Sequence, residues 1–198
     1  MTDNSSGALV RLTEASLKKC LGRLSGVSAG TWELLGISAS AGTIEDAVKL
    51  HDFVNLNAAA VYFNLRGGLP FTAIMLFDPA DMECISKCFM GYSYPRGAAT
   101  TQTEEVMLLE LGNIVLNSLI NSTLNALKLS LMPSVPAYLE GDFRDLADGL
   151  APGGDVKQNF RIIAATLVIR SDKRATRSEV IALVPEELAQ QFERLPVV

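Results

Sequence analysis

Hydrophobic and polar positions along the chain predict one series of helices and strands that occurs twice. The first series is a helix over 13–24, a strand over 31–40, a short helix over 43–51, strands over 58–66 and 70–77, and a helix over 78–90. The second is a helix over 103–127, a strand over 130–139, a short helix over 142–150, strands over 159–170 and 175–184, and a helix over 185–195. Thr13 is the expected N-cap of the first helix, and Gly67 and Gly68 are the expected hairpin turn between the paired strands of the first half.

The repeated order of elements predicts the fold class. Hairpins with helices between them indicate an α+β fold, in which a six-stranded antiparallel or mixed sheet is covered by helices and has a pseudo-twofold axis. The two long helices are then equivalent, and the remaining helices are short and accessory. The stretch 91–102 is rich in Gly, Pro, Ser and Thr and lacks an apolar period, which is typical of a linker. We therefore expect a single domain over 1–198, with halves over about 10–91 and 103–198.

Composition and the first residues of the chain indicate the cellular compartment of this domain. The chain has 198 residues, 48% of them hydrophobic, which is enough for one sizeable core. The first seven residues are polar and unlike a secretory signal, and we expect no apolar run near the ~20 residues that a membrane helix needs. These features favour a cytoplasmic protein without membrane insertion.

Charge and the scarcity of metal-binding residues exclude several function classes. A net charge of −5 with scattered Lys and Arg argues against a nucleic-acid partner. The three cysteines, Cys20, Cys84 and Cys88, lack the spacing of a metal site, and we expect them to be reduced and buried. His51 is the only histidine, so multi-histidine metal sites are excluded, and it is expected to be a loop or packing residue. No cluster of carboxylates has metal-ligand spacing, so we expect no metal and no cofactor of the protein's own.

The long helix of the second half carries two stripes of residues. Leu108, Leu111, Val115 and Leu119 form an apolar stripe suited to packing on a sheet. A second stripe is polar and contains only one charge; its members are Glu110, Asn113, Asn117, Asn121 and Asn125. Asparagine is a mediocre helix former, so four in one helix indicate either buried hydrogen bonds to the other half or a functional surface.

The run LLELGNIVLNSLINSTLNAL resembles the active-site helix of the CheC family of chemotaxis phosphatases. The family signature is an acidic residue or serine, then ExxN, then a proline 23 positions after the asparagine. Glu110 and Asn113 supply ExxN, and Pro136 stands at the required distance. Val106 stands where the family has Asp or Ser, and the neighbouring Thr103 and Glu105 are candidates to replace that residue.

The resemblance implies two related halves around an antiparallel six-stranded sheet, and hydrolysis of the aspartyl phosphate of a CheY-like response regulator. Glu110 and Asn113 are the implied catalytic residues: the Asn113 amide holds a water in line with the phosphorus, and Glu110 binds a lysine of the regulator. The magnesium ion would come from the regulator. A CheD-type deamidase is a possible further partner.

In the first half we expect no second site. Aligning Leu21-Gly22 with Leu111-Gly112 places Cys20 at the position of Glu110 and Arg23 at that of Asn113, and a guanidinium lacks the acceptor of an amide. This degenerate half and Val106 favour the alternative, a non-catalytic module that binds a receiver domain, a flagellar-switch component or a CheD-type deamidase. An unrelated α+β metabolic enzyme would need a phosphate loop, a nucleophile with its base or a metal cluster, and the sequence contains none of these motifs.

Overall fold

The computed structural model describes residues 6–50, 53, 56–66, 71–94, 100–151, 157–171 and 174–194. His51 and the expected turn at Gly67 and Gly68 lie outside the described residues. The first half contains α1 (Ser6–Val27), β1 (Thr31–Gly42), α2 (Ile44–Val48), β2 (Ala58–Arg66), β3 (Thr72–Phe77), a 3-10 turn (Pro79–Asp81) and α3 (Met82–Met90). The second half contains α4 (Gln102–Leu127), β4 (Met132–Pro133), β5 (Ala137–Gly141), α5 (Phe143–Leu150), β6 (Phe160–Ser171), β7 (Arg174–Pro185) and α6 (Glu186–Glu193).

The strands form one antiparallel sheet whose order has twofold symmetry. Six strands lie in the order β1-β6-β7-β3-β2-β5, and the two-residue β4 pairs with the end of β2. Exchanging the halves turns β1 into β5, β6 into β2 and β7 into β3, which reverses the same order. The pseudo-twofold axis therefore passes between the central strands β3 and β7. The predicted α+β fold with a six-stranded antiparallel sheet is confirmed, with β4 as an addition.

The same local device follows the edge strand of each half. Gly42 and Gly141 each precede the N-cap of a short helix, and each N-cap forms a capping box with the aspartate at N3. A Cβ on Gly42 would lie 2.9 Å from an oxygen of Asp46, and one on Gly141 would lie 2.6 Å from Cβ of Asp145. Because a Cβ would crowd the N3 aspartate at both places, Gly42 and Gly141 mark equivalent positions of the repeat.

Two expected boundaries are wrong. The first helix begins at Ser6, so Thr13 is not an N-cap but a residue inside α1 whose side chain is 2% exposed. The expected strand over 130–139 is divided into β4 and β5, with Pro136 between them. Proline has no backbone N–H to donate to a ladder, so it separates the two short strands.

Apolar side chains fill both faces of the sheet. The larger core cluster lies beneath the long helices and includes Phe63, Phe77 and Leu111, whereas the smaller lies beneath α2 and α5 and includes Ile44 and Leu146. All three cysteines are buried, as expected, and none of them forms a disulfide.

Helix α4 is more apolar than the sequence analysis expected. Its 26 residues are long and apolar enough to cross a membrane by length and composition. In this fold, however, Leu111 and Val115 are completely buried in the larger core cluster. Its apolar character therefore serves packing on the sheet.

Candidate functional site

Helix α4 begins at a closed capping box. The Thr101 side chain accepts from the N–H of Glu104, while a Glu104 carboxylate oxygen accepts from the Thr101 N–H at 2.7 Å. Because Glu104 is buried, this box fixes the start of the helix firmly. The position of Glu110, less than two turns further on, follows from that start.

A close contact with the sheet fixes the rotation of α4. A Cβ on Gly112 would lie 2.4 Å from Cγ1 of Val61 on β2, so the helix backbone rests directly on the strand. Leu108 and Leu111 are completely buried beside this contact. Glu110 is exposed and Asn113 is half-buried, and both line an open groove next to the helix.

This α4 groove has a volume of about 450 Å³ and brings the predicted motif residues together. It is lined by Phe89, Met90, Tyr94, Thr103, Val106, Met107, Leu109, Glu110, Asn113 and Pro136. Pro136, which is distant in sequence, reaches Glu110 and Asn113 because β5 pairs with β2 beneath the helix. The groove thus joins all three signature residues named from the sequence.

The first motif position also lies in the groove. Val106 is 61% exposed and lines it, so an apolar side chain stands where the family has Asp or Ser. Thr103 lines the groove as well, whereas Glu105 does not. Of the two candidates for the missing residue, the structure therefore leaves Thr103.

The walls of the groove are mainly apolar. Phe89, Met90 and Tyr94 come from α3 and the segment that follows it, and sequence reasoning did not identify them. Tyr92 and Tyr94 meet edge to face with ring centroids 5.6 Å apart, and hydrogen bonding between them raises the pKa of Tyr94. Tyr94 is therefore neutral near pH 7. Within the described parts of the chain, no three His, Cys, Asp or Glu side chains group together as a metal site.

Solved structures share this fold over nearly the whole chain. Thermotoga maritima FliY has a TM-score of 0.67 at 12% identity, covering 97% of this chain and 95% of that one. The FliM middle domain from H. pylori gives 0.64 at 12% identity, covering 96% and 99%. CheX from Vibrio vulnificus gives 0.53 at 12% identity, covering 88% and 97%. The chain has the fold of FliY, FliM and CheX. No protein-family model matches the sequence, and no curated protein matches it by sequence.

Within this shared fold, serines rather than asparagines join the two long helices. The Ser16 hydroxyl of α1 donates to the backbone oxygen of Ser118 at 3.0 Å, and the Ser122 hydroxyl donates to Ser16 at 2.9 Å. Asn121 and Asn125 are exposed. The interpretation of the asparagine stripe as a buried tie to the other half is therefore wrong for these two. The i,i+4 spacing of Ser118 and Ser122 was the available sequence signal for this contact.

Asn117 has a different place in the stripe. Its Nδ2 donates to Oδ1 of Asn113 at 2.5 Å, one helical turn away. Asn117 is half-buried and does not line the α4 groove. Its amide therefore contacts Asn113, the predicted catalytic residue, without lining the groove itself.

The expected register between the two long helices is wrong. Cys20 was aligned with Glu110, but Cys20 is 7% exposed, its Sγ lies 3.7 Å from the backbone oxygen of Ile114, and burial raises the pKa of its thiol. Gly22 was aligned with Gly112, yet a Cβ there would meet nothing within 4 Å. A buried thiol cannot occupy the place of an exposed carboxylate.

The offset that relates Gly42 to Gly141 gives the register that fits the structure. It superimposes the buried positions of α1 on buried positions of α4: Leu9, Thr13, Ser16, Leu17, Cys20, Leu21 and Leu24 on Leu108, Gly112, Val115, Leu116, Leu119, Ile120 and Thr123. Arg11 then corresponds to Glu110, and Glu14 corresponds to Asn113. Glu14 forms an ion pair with Lys18 at 2.6 Å. The first half still lacks ExxN, but Arg11 and Glu14 occupy the motif positions instead of the expected Cys20 and Arg23.

Proposed function

We propose that this chain hydrolyses the aspartyl phosphate of a phosphorylated CheY-like receiver domain, with Asn113 as the catalytic residue. The observation that carries the proposal is the α4 groove, which joins Glu110, Asn113 and Pro136 on an open, mainly apolar surface. Such a surface suits docking of a protein, whereas a small substrate would favour a closed pocket. The fold shared with FliY and CheX supports the family, and the motif residues support the activity.

The reaction requires little chemistry from this chain. In the proposal the Asn113 amide orients a water so that its oxygen attacks the phosphorus while the bond between phosphorus and the aspartyl oxygen breaks. The products are the free carboxylate and inorganic phosphate, which retains the proton that the water loses. Positioning of this kind needs neither a nucleophile nor a general base from the phosphatase. The receiver supplies the magnesium ion, and this chain contributes no ligand to it.

Glu110 sets the register of docking in this proposal. Its carboxylate is exposed at the groove, one turn before Asn113. A lysine of the receiver would donate a charge-assisted hydrogen bond to it, so that Asn113 enters beside the phosphate. The cytoplasm, where receiver domains act, is the proposed compartment. Binding of a CheD-type deamidase stays a prediction without an assigned surface.

A second candidate function is docking without hydrolysis. Val106 favours it, because the position that carries Asp or Ser in the phosphatases is apolar here. FliM, which shares the fold, was solved in a complex with FliG. In this case the groove would bind a receiver or a switch component, and Asn113 would be a contact residue.

A dephosphorylation time course separates the two candidates. A CheY-like receiver is phosphorylated with acetyl phosphate, and its decay is followed with the wild-type chain, Asn113→Ala and Asn121→Ala. We expect Asn113→Ala to lose activity by about 100-fold, since a misplacement of about 1 Å can cost this much. Asn121→Ala, an exposed change on the same stripe, is the matched control and should behave as wild type. Thermal unfolding should be the same for all three.

Two results would contradict the phosphatase proposal. Equal activity of wild type and Asn113→Ala would remove Asn113 from the mechanism. Binding of the phosphorylated receiver without any acceleration of its decay would support the docking module instead.

A further inference from the structure

The side chain of Asn113 accepts a hydrogen bond from a second asparagine of the polar stripe. Of the four asparagines in the polar stripe, Asn117 alone donates a side-chain hydrogen bond to another stripe residue among the described parts of the chain. It contacts Oδ1 of Asn113, whereas Asn121 and Asn125 are exposed. The contact therefore distinguishes one asparagine from its neighbours.

The hydrogen bond fixes which way the Asn113 amide faces. An asparagine amide is planar, with its acceptor and its donors at opposite ends. Because Nδ2 of Asn117 holds Oδ1 from the C-terminal side, Nδ2 of Asn113 points away from Asn117. The α4 groove lies on that side, since its helical residues run from Thr103 to Asn113. Asn113 thus presents its N–H donors to whatever enters the groove.

Packing of the helix does not require this bond. The start of α4 is held by its capping box, its rotation by the contact of Gly112 with Val61, and its contact with α1 by Ser118 and Ser122. An asparagine in the middle of a helix also opposes helix propensity. The residue is therefore costly for the helix while other contacts already hold the helix in place.

We infer that Asn117 is a positioning residue that orients the Asn113 amide for hydrolysis, so that Nδ2 of Asn113 donates to a phosphoryl oxygen and the second lone pair of its Oδ1 accepts from the attacking water. The inference rests on the proposed function. A free amide would rotate between two orientations, only one of which presents the donor, and it would lose this freedom in the transition state. Holding it beforehand lowers that cost.

The test uses substitutions that remove or keep the donor of Asn117, with a control for the added charge. Asn117→Asp has the same shape but cannot donate to Oδ1, and Asn117→Ala removes the donor without adding a charge. Asn121→Asp adds the same charge one turn further along the stripe and serves as the matched control. Asn117→Gln keeps an amide donor on a longer side chain.

With a phosphorylated CheY-like receiver as substrate, we expect Asn117→Asp and Asn117→Ala to lower kcat by about 10-fold, the effect of one lost hydrogen bond. KM should stay at the wild-type value, because Asn117 does not line the groove. The thermal midpoint should also stay at the wild-type value, because other contacts hold α4 in place. Asn121→Asp should keep the wild-type kcat, and Asn117→Gln should recover part of the loss seen with alanine.

The outcomes separate this inference from the proposed function. Wild-type kcat in Asn117→Asp and Asn117→Ala, together with an inactive Asn113→Ala, would overturn the positioning role alone. A lowered thermal midpoint or a raised KM with unchanged kcat would show that Asn117 is structural, which also overturns it. Full activity of Asn113→Ala, or a wild-type chain without activity, would overturn the proposed function and this inference together.

Discussion

The two long helices α1 and α4 occupy equivalent places in the two halves, and the comparison shows what the fold requires of them. Their buried positions superimpose from Leu9 with Leu108 to Leu24 with Thr123. Their exposed faces differ: α1 has Arg11 and the ion pair of Glu14 with Lys18, where α4 has Glu110, Asn113 and Asn117. The sheet constrains one face of each helix and leaves the other free to carry a function.

The short helices show the opposite behaviour. Each follows a glycine that approaches the N3 aspartate closely, and each begins with a capping box. Here the two halves have kept the same device because it stabilises the local structure in both. A difference between equivalent positions is therefore informative on the exposed faces of α1 and α4, where the fold permits change.

The largest expected effect concerns the number of sites. Since only α4 carries ExxN, one chain should bind one receiver. Titration with a receiver locked by beryllium trifluoride should give a stoichiometry of one to one, measured by calorimetry. Two equivalent sites per chain would show that α1 is functional despite Arg11 and Glu14.

A second test compares Glu110 with its equivalent, Arg11. Glu110→Ala should raise KM for the phosphorylated receiver by about 30-fold, because loss of an ion pair buried by the partner costs about 2 kcal/mol. Arg11→Ala is the control in the other half and should leave KM unchanged. A fall in kcat alone for Glu110→Ala would show that this residue stabilises the transition state and does not act in docking.

A third test compares two helical glycines. Gly112→Ala should destabilise the protein by about 1–3 kcal/mol, because the new methyl group overlaps Val61. Gly22→Ala meets nothing within 4 Å and should stabilise the protein by up to about 1 kcal/mol through helix propensity. Urea unfolding of both variants measures the difference. Equal effects would mean that α4 does not rest on β2 as described.

These glycines also show why the sequence predicted the elements better than their register. Periodicity located the helices and strands, and ExxN with a distant proline located the groove. The dipeptide Leu-Gly occurs in both helices, but it does not reveal that Gly112 faces the sheet and Gly22 faces solvent. The face is decided by contact with Val61, which is far away in sequence.

Two other features required three-dimensional information. The apolar wall of the groove comes from α3 and the segment after it, because the fold brings Phe89, Met90 and Tyr94 beside α4. Helix α1 begins at Ser6, earlier than the sequence predicts, and its first turns are held by Leu9, which packs in the core. Local pattern predicts which elements form, whereas long-range packing decides what surrounds the site.

The smallest expected effect is the pH dependence of the two capping boxes. The N–H and hydroxyl of Thr43 donate to the Asp46 carboxylate, and these bonds lower the pKa of Asp46 below its ordinary value of 3.8. In α5 the backbone N–H groups of Asp145 and Arg144 donate to Asp142 and lower its pKa in the same way. Each half thus has one capping-box carboxylate with a lowered pKa, at N3 in the box of α2 and at the N-cap in the box of α5.

A lowered folded-state pKa stabilises the protein above the unfolded value, and this contribution is lost as pH falls through the folded value. Asp46→Asn and Asp142→Asn should therefore each lower the urea midpoint at pH 7, and their difference from wild type should shrink below about pH 4. Asp148→Asn, an exposed change on α5 away from the cap, should show no such loss at pH 7. If only one of the two cap variants loses stability, or if the loss persists in acid, then the two boxes are not equivalent devices. The likeness of the halves would then be limited to their buried residues.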